Sequence, residues 1–225
     1  MIQIFVICEG QTEVDFVEKV LKEAFLSEGI CFAPKTIGES GHKGGNVTFE
    51  RIMKDIRVFQ RIPGCYVTTF FDFYGLNSRF PGKSEAEKVN SYKERSKILL
   101  EAFEQKLDEE FSEKNYDYRR RIIPYVQMHE FEALLFSDPA VLAQSLGQSR
   151  LESEFLNVRE KYSTPEEINN SEQTAPSKRI ARIFPEYGKP EDGIDAAKQI
   201  GLETMRRECP LFNEWLEKLE KLEDL

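Results

Sequence analysis

The chain opens on a nearly continuous apolar run, Ile2–Cys8, the pattern of a parallel strand buried on both faces. Glu9-Gly10-Gln11-Thr12 breaks the run. Thr12 can cap a helix whose apolar positions are Val14, Phe16, Val17, Val20, Leu21, Ala24 and Phe25. A second strand is expected over 30–37, followed by a glycine-rich loop over 38–45. Asn46 can cap the next helix, with Val47, Phe49, Ile52, Ile56 and Phe59 on one face. Pro63-Gly64 marks a turn, and the β-rich run 65–71 ends at Asp72. A polar loop over 77–83 leads into a long charged helix over 84–111. The run 121–127 predicts a strand that feeds directly into His129, and 130–136 reads as a helix start. Alternation of strand and helix predicts an α/β fold with a parallel sheet and right-handed crossovers. Beyond residue 138 the pattern is mainly helical, punctuated by Pro165, Pro176, Pro185, Gly188, Pro190 and Pro210. The expected organisation is an α/β domain over 1–138 with a helical extension, 139–225, packed on it as one unit.

Composition supplies the core for such a fold: 40% of the 225 residues are hydrophobic, and 17 are Phe. The formal net charge of -9 argues against a surface that coats nucleic acid in general. Metal ions and local basic patches can still bring a polyanion to such a chain. None of the cysteines, Cys8, Cys31, Cys65 and Cys209, forms a C-x-x-C pair, so zinc-ribbon spacing is absent. No basic leader with a small-residue cleavage site and no apolar run of membrane-spanning length is present, so a cytoplasmic location is expected.

Chemistry concentrates at the predicted strand ends. Glu9 with Glu13, then Asp72, then Glu130 with Glu132 each follow a strand. Ligands of open α/β sheets bind at the carboxyl ends of the strands. Carboxylates converging there build an oxygen-rich site suited to magnesium or manganese. Any one of them alone reads equally as a helix-dipole partner. It is their occurrence at three strand ends that favours a metal site. His129, one of two histidines, can be a proton shuttle, a metal ligand or a phosphate contact, or simply a hydrogen-bonded residue at a strand–helix junction. The loop Gly41-His42-Lys43-Gly44-Gly45-Asn46 can hold a phosphate on its backbone amides, with Lys43 beside it, but it does not match a Walker A loop.

Several motifs together resemble a Toprim-like prokaryotic family catalogued as a domain of unknown function. They are Val-Ile-Cys-Glu-Gly-Gln-Thr-Glu from Val6, Phe-Phe-Asp-Phe-Tyr-Gly-Leu from Phe70, His-Glu-Phe-Glu-Ala-Leu-Leu-Phe from His129, Thr-Ala-Pro-Ser-Lys-Arg-Ile from Thr174, and Cys-Pro-Leu-Phe from Cys209. In motif pattern the family is related to overcoming-lysogenization-defect nucleases. The resemblance implies a Toprim-like parallel sheet flanked by helices, with Glu9 as the first-strand glutamate, a metal ligand or general acid/base. It implies that Glu13 is the second acid of the nuclease branch and Asp72 the first aspartate of an Asp-x-Asp pair. Tyr74 stands where the second aspartate belongs, and Glu130 or Glu132 can restore that ligand.

The expectation is therefore metal-dependent phosphodiester hydrolysis with Mg or Mn, with Glu9, Asp72, His129 and Glu130 as catalytic candidates. Lys43, Lys178, Arg179 and Arg182 are candidate contacts to nucleic acid, expected to be DNA. The resemblance further implies a role beside an ATPase partner in defence against phage or plasmid DNA. Two alternatives remain open: a non-catalytic adaptor subunit that keeps the fold, and nucleotidyl transfer or small phosphate hydrolysis.

Overall fold

The computed structural model describes residues 1–38, 46–111, 119–169 and 174–223. The glycine-rich loop, including Lys43, lies outside them. Strand β1 (Ile2–Cys8) is followed by helix α1 (Gln11–Phe16), a π-helical stretch (Val17–Leu21) and α2 (Lys22–Phe25). Then come β2 (Ile30–Thr36), α3 (Phe49–Phe59) and β3 (Cys65–Asp72). All pairings are parallel, in the order β2-β1-β3-β4, with β4 (Ile122–Ile123) and β5 (Val126–Gln127) both lying along β3. β2 and β3 thus flank β1 on opposite sides, and the order reverses between β1 and β3. Ligands enter open α/β sheets at such a switch point.

The sheet is buried on both faces, as the unbroken apolar strands require. Ile4, Val6 and Cys8 of β1 and Tyr66 and Phe70 of β3 belong to one core, with Phe16, Phe131, Ile194, Phe212 and Trp215. Ile7, Val67 and Phe71 belong to the other, with Ile52, Ile56, Leu99 and Phe103. The period-2 alternation of a strand sorts these side chains between the layers. The C-terminal helices therefore contribute to a core they share with β1 and β3. They are α6 (Pro139–Ser145), α7 (Glu152–Arg159), α8 (Pro176–Ile183), α9 (Glu191–Ile200), α10 (Leu202–Glu208) and α11 (Pro210–Glu220).

Local chemistry moved several predicted boundaries. Gly10, in an extended conformation, is the N-cap of α1 in place of Thr12. Thr48 caps α3 in place of Asn46, its side chain accepting from Arg51 N at 3.3 Å. The helix expected over 84–111 is two helices, α4 (Lys83–Ala86) and α5 (Tyr92–Glu110). Ser91 caps α5, and the Arg95 guanidinium bonds the carbonyls of Ala86 and Val89 in the intervening turn, at 3.1 and 2.8 Å. The strand expected over 121–127 breaks at Pro124, which has no N–H for the ladder. Threonine hydroxyls bridge the gap: Thr68 donates to Ile123 O at 2.6 Å, and Thr69 bonds both Tyr125 O and Tyr125 N. Residues Phe131–Ser137 form a 3-10 helix. No helix among the described residues is long and apolar enough to cross a membrane.

Candidate functional site

Glu9 is the first residue beyond β1, at the switch point. Its Oε2 accepts the backbone N–H of Asp72 at 3.3 Å, tying the ends of β1 and β3 together. One turn on, the Glu13 carboxylate folds back to accept Gly10 N–H at 2.7 Å, so Glu13 also serves the helix start. Glu130 accepts Ser177 N–H at 2.8 Å, which brings the Thr-Ala-Pro-Ser motif to this edge through its backbone. Glu132 is fully buried. Its Oε1 meets Lys189 Nζ at 2.5 Å and the Tyr187 hydroxyl at 3.3 Å.

These acids form one electrostatic unit. Burial raises the Asp72 carboxyl well above the usual range, and Glu13, Glu9 and Glu132 raise it further. Burial pushes Glu13 up to about 7, with Glu9 adding to the effect. Burial raises Glu9 too; the Asp72 N–H and Lys189 offset this, while Glu130 adds to it. Glu132 is raised by burial despite the opposing pull of Lys189. One lysine thus acts on Glu9, Asp72 and Glu132 alike, and negative charge exceeds positive. Among the described residues, the carboxylate oxygens Asp72 Oδ1 and Glu132 Oε2 are sealed from solvent without a hydrogen-bond partner, which is costly for a charged group. The donors are all oxygen and suit a hard divalent cation. Among the described residues, no three His, Cys, Asp or Glu side chains already converge as a metal cage.

His129 follows β5 with a left-handed backbone (φ 68), a strained setting for a non-glycine residue. That turn aims its carbonyl at Tyr74 N, 3.3 Å away, and joins the loops after β3 and β5. Its ring lies in contact with the Tyr74 ring, at 5.8 Å between centroids. Nδ1 faces Asn169 Nδ2 at 3.2 Å, an arrangement in which Nδ1 accepts and Nε2 carries the proton. Burial, aided by Arg95 and Lys83, lowers its pKa to about 3, so the imidazole is neutral at ordinary pH. Tyr74 is therefore a packing partner of His129 where the resemblance would place a second aspartate.

The predicted acids are linked pairwise: Glu13, Glu9 and Glu132 act on Asp72, Glu9 and Glu132 on Glu13, and Glu130 on Glu9 and Glu132. The basic candidates are placed differently. Lys178 and Arg182 are exposed, and the Arg179 guanidinium bonds Thr174 O and the Tyr162 hydroxyl at 2.6 and 2.8 Å. Lys189 and Tyr187, which do reach the acids, were not foreseen; they sit in a Pro- and Gly-punctuated stretch with no motif of their own. Gly75 was missed as well, and it supplies the space that Glu9 fills.

Comparison with known proteins finds no matching curated protein and no matching solved structure. A family described as a domain of unknown function, DUF4276, matches residues 8–220, from the end of β1 to the end of α11. The chain belongs to the DUF4276 family.

Proposed function

We propose that this carboxylate edge takes up a divalent metal ion, magnesium or manganese, for hydrolysis of phosphodiesters. The observation that carries the reading is the pair of sealed oxygens, Asp72 Oδ1 at the switch-point end of β3 and Glu132 Oε2, which have no partner among the described residues. Glu9, Asp72 and Glu132 would hold the ion, with Glu13 and Glu130 beside them. When bound, such an ion activates a water and stabilises charge on a phosphoryl oxygen. The protein's own part is orientation: Asp72 N–H fixes Glu9 and Ser177 N–H fixes Glu130. Glu132 takes the place of the aspartate that Tyr74 replaces. Acids at the ends of β1 and β3 also support a Toprim-like relationship, and with it DNA as substrate and an ATPase partner in defence against phage or plasmid DNA.

One observation favours the adaptor reading: the acids do not converge as a ready-made cage. A cleavage assay separates the two. Plasmid DNA, single-stranded DNA and RNA are incubated with manganese and either the parent protein or Asp72→Asn. Hydrolysis should fall by at least about a hundredfold in the variant. Cleavage that survives Asp72→Asn refutes the site, and manganese binding without any cleavage favours the adaptor.

A further inference from the structure

We infer that Lys189 is a displaceable internal counter-ion that couples metal uptake at the acidic edge to the binding of a phosphodiester anion. This rests on the proposed metal site and adds a residue and a coupling to it.

The lysine reaches from the surface to a buried acid. Its side chain is 42% exposed, while that of Glu132 is 0% exposed, yet Nζ and Oε1 are 2.5 Å apart. Tyr187 donates to the same Oε1, and Oε2 has no partner among the described residues. Gly193 on α9 makes room for this arrangement, because a Cβ there would lie 2.7 Å from the Tyr187 hydroxyl. Three of the other acids have less freedom: Glu9, Glu13 and Glu130 each accept a backbone N–H. Glu132 is instead held by two side chains, one of them a long, flexible lysine.

A divalent cation at Glu132 competes with this ammonium for the same carboxylate. An ion on the open Oε2 repels the ammonium held on Oε1 across the same carboxylate, so its binding loosens Lys189. The stem is long and already partly exposed, so Nζ can swing toward solvent. There a phosphodiester oxygen is its natural partner, through a charge-assisted hydrogen bond. Coupling between two ligands is reciprocal. An anion that draws Lys189 away from Glu132 must therefore tighten metal binding, and the metal must tighten anion binding. Such a site keeps its lysine on Glu132 until both ligands are present.

The test is calorimetric titration of manganese into the parent, Lys189→Met and Lys189→Gln, with and without dimethyl phosphate, at about pH 8 where protons compete less for the raised carboxyls. Lys189→Gln keeps a hydrogen bond to Glu132 without the charge, and it decides the matter if the Met variant fails to fold. Both variants should bind manganese about tenfold more tightly than the parent, within the usual range of coupling. Dimethyl phosphate should tighten manganese binding to the parent about fivefold and leave both variants unchanged. The inference is overturned if the parent binds manganese while the variants bind it equally or more weakly, or if the dimethyl phosphate effect persists without Lys189. Absence of manganese binding in all three proteins overturns the metal site itself, and the coupling with it.

Discussion

The Glu9 carboxylate fills the space a side chain at Gly75 would need: a Cβ built on Gly75 falls 1.8 Å from Glu9 Oε2 and 2.2 Å from its Cδ. Gly75 does not carry a positive φ, so its role here is room. Gly75→Ala should push Glu9 out of the site rather than unfold the chain, since a side-chain end can rotate away. Thermal stability without metal should change by less than about 1 kcal/mol. The manganese-induced rise in Tm should shrink strongly. A full manganese response in Gly75→Ala would show that Glu9 is not needed where it stands.

Buried acids set the pH dependence of the metal-free protein. Glu13 titrates at about 7 in the folded chain and near ~4.3 when unfolded. The folded state therefore holds its proton more tightly, and the stability this confers is complete below the unfolded value. It is lost as pH rises through about 7, a loss of roughly 2–4 kcal/mol. Glu13→Gln keeps an acceptor for Gly10 N–H and should flatten part of this fall. Chemical denaturation at a series of pH values checks it; an unchanged slope in Glu13→Gln would contradict the assignment.

Glu166 shares that window, also raised to about 7 by burial. Fully buried, it accepts the N–H groups of Leu211 and Phe212, at 2.9 Å each, at the start of α11. Glu166→Gln turns one acceptor into a donor facing an N–H. Near pH 5, where the buried carboxyl holds its proton, the variant should lose about 1–3 kcal/mol. Above neutrality the parent itself gives up stability as Glu166 ionises, so the deficit of the variant should shrink. A loss independent of pH would mean that the carboxylate charge plays no part in this cap.

His129 should remain neutral through the physiological range, because burial holds its pKa to about 3. In His42→Gln, where His129 is the one remaining histidine, its ring resonances followed by NMR should not titrate between about pH 5 and 8. If His129 titrates near the ordinary value, its packing against Tyr74 is not as described.

Strand ends were legible in the sequence, and much of the site with them. Ile2–Cys8 and Cys65–Asp72 are apolar enough to declare buried parallel strands, and a carboxylate just past such a strand must lie at the ligand-binding edge. Glu9 and Asp72 follow from that alone. The positive partner was not legible, because Lys189 is 57 residues beyond Glu132, the residue it pairs with, and is placed by how α8 and α9 pack. Lys178 and Arg179 stood out as a basic pair inside a motif, yet the Arg179 guanidinium is taken up by Thr174 and Tyr162. Caps failed for a smaller reason: Asn46 and Thr48 are both good capping residues two positions apart, and pattern alone does not choose between them.

Melting curves with and without manganese test most directly whether the edge carrying Glu9, Asp72 and Glu132 binds a divalent ion. An ion that binds only the folded state adds about 2.7 kcal/mol at roughly a hundredfold excess over Kd. For a domain of this size that raises Tm by roughly 5–10 °C. Glu9→Gln should melt at the parent temperature or slightly above it without metal, because one carboxylate leaves a repulsive cluster. Its manganese response should be largely lost. An equal response in Glu9→Gln, or none in the parent, would contradict the account.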